Sequence, residues 1–223
     1  MAYRDRYNSA GRYISNYRER YNAGIVYDLE FTASGNGNLT PQITFSGTAS
    51  VFVDGVEYPL TSTVHHAGIA VTTGQTIGYV FSDYDSITFF NISGDPVSGD
   101  ISGWTLPASL VGFYVNLTSV SGDISGWNLP ASLVNFWVYS TSVSYASASG
   151  AFTGITTALT KIDFDNCSLS AQHVTNALVD CDTANVTDTA TIEIAGNNTA
   201  PLEAGLTAKS NLEGRGYAVA VTA

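Results

Sequence analysis

The segment Ser98-Gly-Asp-Ile-Ser-Gly-Trp104 returns as Ser121-Gly-Asp-Ile-Ser-Gly-Trp127, and Leu106-Pro-Ala-Ser-Leu110 returns as Leu129-Pro-Ala-Ser-Leu133, each 23 residues further on. A fixed period of this length with one strand-like stretch per period marks a stacked, solenoid-like architecture. Stepping by 23 sets Ile87, Phe90 and Ile92 against Leu110, Phe113 and Val115, then against Leu133, Phe136 and Val138. A step of 26 reaches Leu159, Ile162 and Phe164, and a step of 30 reaches Ile192 and Ile194. The spacing therefore predicts about five coils over 86–196. In Leu-x-x-Phe-x-Val the alternate apolar side chains fall on one side of a strand. A single coil cannot bury that row, whereas stacked coils turn it into a continuous apolar column. Ile101 and Ile124 would turn inward after the corner, with Trp104 and Trp127 forming a buried wall.

The pattern changes on both sides of the repeat. Ser170 is placed to cap a helix over Ala171–Asp180, buried through Val174, Leu178 and Val179. A strand over Thr191–Ala195, a helix opened by Pro201 and a strand over Tyr217–Thr222 would then close the end of the stack. Residues 25–85 alternate in the manner of strands at Ile25–Phe31, Gln42–Phe45, Ser50–Val53, Gly68–Val71 and Thr76–Phe81, with Gly-rich turns between them. They read as a small antiparallel β domain. In residues 1–24, Tyr3, Tyr7, Ala10, Ile14, Tyr17 and Tyr21 follow helical spacing. With Arg4, Tyr13 and Arg18 they form a candidate docking arm that needs a partner surface, since a helix this short and polar is marginal alone. The expected fold is mainly β with some α: a helical arm over 1–24, a β domain over 25–85, and a solenoid over 86–223 with an α/β cap from about 170.

Charge restricts the partners. Residues 1–24 hold five arginines against two acids, whereas residues 25–223 hold three basic groups against 17 acidic ones. An acidic body argues against nucleic acid as partner, since phosphate contacts demand basic residues. No apolar run is long enough for a membrane span, and the start has no signal-like apolar stretch. Cys167 and Cys181 read as two buried thiols, with a disulfide left open.

The repeat Ser-Gly-Asp-Ile-Ser-Gly-Trp-x-Leu-Pro-Ala-Ser-Leu-Val-x-Phe resembles leucine-rich repeats, with Phe and Val at some leucine positions. The closing segment from Ile192 to Pro201 and from Leu212 to Val221 resembles the end of repeat proteins in tailed bacteriophages. The resemblance spans about 86–223 and implies a leucine-rich-repeat-like β-solenoid on a virion surface, as a head or tail fibre or a decoration protein. It implies assembly in the host cytoplasm, release by lysis, homo-oligomers, and contact with other virion proteins through residues 1–24. A bacterial cell-surface adhesion protein is the alternative it leaves.

Alternation also predicts which side chains face outward. One column holds Asn91, Tyr114, Trp137, Asp163 and Glu193, and the next holds Ser93, Asn116, Tyr139, Asp165 and Ala195. Aromatic rings beside carboxylates suit a host-surface glycan, by stacking on sugar rings and accepting hydroxyl hydrogens. The same face would equally suit a protein or a neighbouring subunit. Asp163 and Asp165 share a face as a glycan hydrolase would require, but a sheet is no cleft, so no catalytic residue is assigned. No metal set is assigned either: stacked Asp100 and Asp123 offer too few oxygens for Ca²⁺, and His65, His66 and His173 do not make a zinc triad. No Gly-rich phosphate loop precedes a helix, so no cofactor is expected.

Overall fold

The computed structural model describes residues 25, 27–66, 68–155, 159–184 and 190–223. The helical arm expected over 1–24 lies outside them. Along the chain run β1 (Leu29–Ala33), β2 (Gly37–Leu39), β3 (Gln42–Thr44), β4 (Ala49–Val53), β5 (Val56–Leu60), β6 (Ile69–Val71), β7 (Thr76–Phe81), β8 (Phe89–Asn91), β9 (Val97–Asp100) and β10 (Gly112–Tyr114). There follow β11 (Ser119–Asp123), β12 (Asn135–Trp137), β13 (Ser142–Ser144), β14 (Lys161–Asp163), α1 (Ala171–Ala184), β15 (Thr191–Ile194), α2 (Glu203–Gly214) and β16 (Ala218–Val221).

Two seven-stranded sheets dominate. One has the order β13-β11-β9-β1-β7-β4-β5, the other β16-β15-β14-β12-β10-β8-β3, and β2 and β6 make a small third sheet. In the second sheet β8, β10, β12, β14, β15 and β16 are parallel neighbours, with β3 antiparallel at the far edge. Phe90, Phe113, Phe136, Ile162 and Ile192 pair in one row, so the register follows the sequence period. Phe113 stacks on Phe90 at 6.0 Å and on Phe136 at 5.6 Å, nearly parallel in both cases. Backbone bonds extend the stacking past each strand, from Ile92 N to Tyr114 O, Val115 N to Trp137 O, Val138 N to Asp163 O and Phe164 N to Glu193 O.

The two sheets bury one core between them. Tyr79 of the first meets Phe90 of the second edge to face at 6.0 Å, and Trp104 packs against both Phe31 and Phe90. Trp104 and Trp127 are buried core residues, as are Ile101 and Ile124.

The expected leucine-rich-repeat-like solenoid of mainly β type is corrected by this topology. Among the described residues the chain is mixed α/β, with three sheets and two α-helices. Two physical reasons account for the difference. First, the repeat strands do not form a body of their own. β9 pairs antiparallel with β1 through Thr32–Ser98 and Ala33–Val97, and β3 pairs antiparallel with β8, so residues 29–81 extend both sheets. Second, the strand opposite the long sheet does not persist. After β13 the apolar spacing becomes helical at Val174, Ala177, Leu178 and Cys181, and α1 is formed in its place. Ser170 Oγ accepts from His173 N at the start of α1, the capping expected of it. Both cysteines are free and buried.

Candidate functional site

The outward side of the long sheet is the site that alternation picks out. Asn91, Tyr114, Trp137, Asp163 and Glu193 pair in a single row across β8, β10, β12, β14 and β15. Their inward neighbours are fixed in the core, so these side chains are turned to the other side. The rings form a chain: Phe89–Tyr114 centroids are 5.0 Å apart, Tyr114–Trp137 5.1 Å, and Trp137–Tyr139 6.3 Å. All four rings are half-buried. Gly112 makes this possible, because a Cβ there would come within 2.7 Å of the Tyr114 ring and 2.9 Å of the Phe89 ring.

Next to the rings lies an ion cluster. Lys161 Nζ is 3.0 Å from Asp163 Oδ2, 2.7 Å from Glu193 Oε2 and 5.1 Å from the Trp137 ring centroid. Burial by itself would lower the Lys161 pKa, but hydrogen bonds and charge from Glu193 and Asp163 outweigh it and hold the ammonium above its ordinary value. Burial raises the Asp163 pKa, and the Asp165 amide together with Lys161 only partly opposes this. Asp163 Oδ1 accepts from Asp165 N at 3.0 Å, and Asp165 Oδ1 accepts from Ala195 N at 2.5 Å. Donor atoms of Asp163, Asp165 and Glu193 all lie within 4.8 Å of one another. Three carboxylates at that separation could hold a divalent cation. In this arrangement Lys161 already bridges two of them.

Two expected face residues are buried, Asp163 at 4% exposed and Asn116 beyond the end of β10. Asn116 is 3% exposed and its Oδ1 accepts from Ser93 Oγ at 2.7 Å, so it braces the turn after β10. Tyr139, at the same position beyond β12, instead keeps its ring beside Trp137. Asp100 and Asp123 are also turn elements. Asp100 accepts from Ser102 N, and Asp123 accepts from the amides of Ser125 and Ala146. For Asp123 burial opposes ionisation, but those amides, Ser125 Oγ and the charge of His173 hold its pKa below the ordinary value.

Sequence reasoning missed Phe89, Gly112 and Lys161, which sit two residues before Asn91, Tyr114 and Asp163 in the strands that carry those residues. Applying the same alternation one step toward the N-terminus would have found them. The Trp137 indole carries a further feature that only packing reveals: its Nε1 is enclosed without a hydrogen-bond partner.

Among the described residues no helix is long and apolar enough to cross a membrane. Comparison with family models, curated proteins and solved structures finds no match for this chain.

Proposed function

We propose that this chain is a non-enzymatic surface protein of a bacteriophage particle, a fibre or decoration component, whose long sheet presents a saccharide-binding face. The particle assignment rests on the resemblance of the repeat and of the closing segment. In this reading the basic 1–24 segment attaches the body to other virion proteins. The observation that supports binding is the unbroken ring chain Phe89–Tyr114–Trp137–Tyr139, whose Trp137 ring lies beside Lys161 of the Lys161–Asp163–Glu193 cluster. Apolar ring faces suit the C–H faces of sugar rings, and the carboxylates and ammonium suit hydroxyl groups. The carboxylates favour binding over hydrolysis. They are drawn together by one lysine, whereas a glycosidase sets its two across the scissile bond.

The test is the double variant Tyr114→Ala/Trp137→Ala. It should stay folded by circular dichroism and lose at least about tenfold in affinity for host-surface polysaccharide fragments, equivalent to about 1.4 kcal/mol. Unchanged saccharide binding together with unchanged particle adsorption would sink the reading. Hydrolysis of the polysaccharide that vanishes in Asp163→Asn would make the protein an enzyme instead.

A further inference from the structure

The two large sheets have four open sides between them, and three are blunted. β5 carries Glu57 and Pro59, and proline removes a donor that a further strand would need. At β13 the chain leaving the strand is tied to α1, whose Asn176 Nδ2 donates to the carbonyls of Tyr145 and Ala146. β3 is bridged by His65 opposite Gln42, and Thr63 N donates to Ile43 O beside it. β16 has none of these devices. It is the last strand of its sheet, reads Ala218-Val-Ala-Val221, and holds no charge, proline or glycine.

Its backbone is half used. Ala218 N donates to Ala190 O, so in this parallel ladder Ala218 and Ala220 bond inward to β15, while Val219 and Val221 turn their N–H and C=O groups outward. No described residue pairs with that outer side. Beside it, between α2 and the strand, runs a groove of about 520 Å³ lined by Pro201, Leu206, Lys209, Glu213 and Val221 among others. Leu206 is 52% exposed there.

We propose that β16 is a dimerisation edge, and that its occupant is β16 of a second copy, antiparallel across a two-fold axis at Ala220. Three observations select a second copy. The outward backbone groups of Val219 and Val221 complement the same groups of the reversed strand, giving a closed, self-complementary pairing. The two Ala220 residues then face each other as the closer, non-hydrogen-bonded pair, where small side chains fit. Charge selects this end of the molecule as well. Residues 25–223 are strongly acidic, so two copies repel over most of their surface. β16 is uncharged, and the groove rim holds one lysine and one glutamate already paired with each other, Lys209 and Glu213. The pairing joins two seven-stranded sheets into one. Because Ala218 and Ala220 are in register with Thr191 and Glu193, the aromatic faces of both copies end on the same side of the joined sheet. If that face binds saccharide, as proposed above, the dimer is bivalent and gains avidity without any new contact. The edge itself does not depend on that reading.

The experiment is analytical ultracentrifugation of the full chain over a concentration series, with Ala220→Lys as the breaking variant. Ala220 is exposed, so the variant should fold and melt like the wild type, while two lysines meeting across the axis weaken dimerisation at least about 100-fold. A second variant, Ala220→Cys, should form a disulfide-linked dimer on mild oxidation, whereas Ala218→Cys, displaced from the axis, should not. A wild-type chain that stays monomeric at about 0.5 mM, or a dimer unmoved by Ala220→Lys, overturns the proposal. Cross-linking through Ala218→Cys alone overturns the register. A dimer lost on deletion of residues 1–24 gives the edge to that segment and likewise overturns it. Saccharide titration of the wild type, diluted until it is monomeric, separates the two proposals, since its single-site affinity should equal that of the dimer.

Discussion

The two sides of the long sheet are made by the same short strands and answer to different physics. On the inner side Phe90, Phe113, Phe136, Ile162 and Ile192 repeat nearly the same chemistry at every strand, because each must fill the space above the last. On the outer side the same row changes chemistry along the sheet, from the amide of Asn91 through the rings of Tyr114 and Trp137 to the carboxylates of Asp163 and Glu193. Uniformity is what packing demands. Heterogeneity is free to appear only where packing makes no demand, and there the side chains can be spent on recognition. Two buried carboxylates differ in their partners. Asp163, 4% exposed, is ion-paired with Lys161, while Asp95, in the turn between β8 and β9 and 2% exposed, has Thr40 N and Oγ1 on one oxygen and no partner on the other.

The comparison breaks most visibly at Phe136. Phe136→Ala removes a ring held between Phe113 and Trp127 and should cost about 3–5 kcal/mol in a denaturant titration. Tyr114→Ala, one residue from the matching inner phenylalanine, should cost clearly less while weakening saccharide binding. Equal losses at the two positions would erase the distinction between the sides.

Asp95 gives the next effect. Burial raises its pKa to about 6, against the opposing pull of the Thr40 hydrogen bonds and of His65. The folded chain therefore holds this proton more tightly than the unfolded chain, and the contribution of Asp95 to stability falls as pH rises from about 4 to about 6. Asp95→Asn keeps an oxygen for Thr40 and removes the buried charge, so it should be more stable than the wild type by about 1–3 kcal/mol at pH 7.5, with the gain disappearing toward pH 4. Thermal melts of both proteins across this range check it, and parallel pH profiles would contradict it.

The smallest effect is expected at Leu117. Its φ is +59°, in a turn position where other strands carry Gly94, Ser140, Asn166 and Gly196, all at positive φ. Leu117 is 56% exposed, so little packing offsets the strain. Leu117→Asn should stabilise the chain by about 1 kcal/mol, read as a rise of a few degrees in melting temperature. A fall would mean that the leucine is held by a contact beyond this chain.

The repeat by itself determined the phase of the molecule. It set which residues point inward at each strand, in which order the strands lie, and hence most of the outer row, including Tyr114, Trp137 and Asp163. Side-chain alternation and stacking period are local properties and are written directly in the spacing. Helix starts were nearly as local: Ser170 caps α1, whereas α2 begins at Glu203, two residues after Pro201. The partner of each strand was a different matter. That β9 accepts β1, that β3 joins β8, and that α1 takes the place of a further strand are pairings between segments tens of residues apart, and periodicity carries no information about them. They changed the expected solenoid into a mixed α/β structure with shared sheets. The same holds for the details of the site. Asn116 is buried and bonded to Ser93, and Lys161 became the centre of the charge cluster because β14 and β15 bring Asp163 and Glu193 to its two sides. The open edge at β16 also exists only in the assembled sheet, because an edge is defined by the strand that is not beside it.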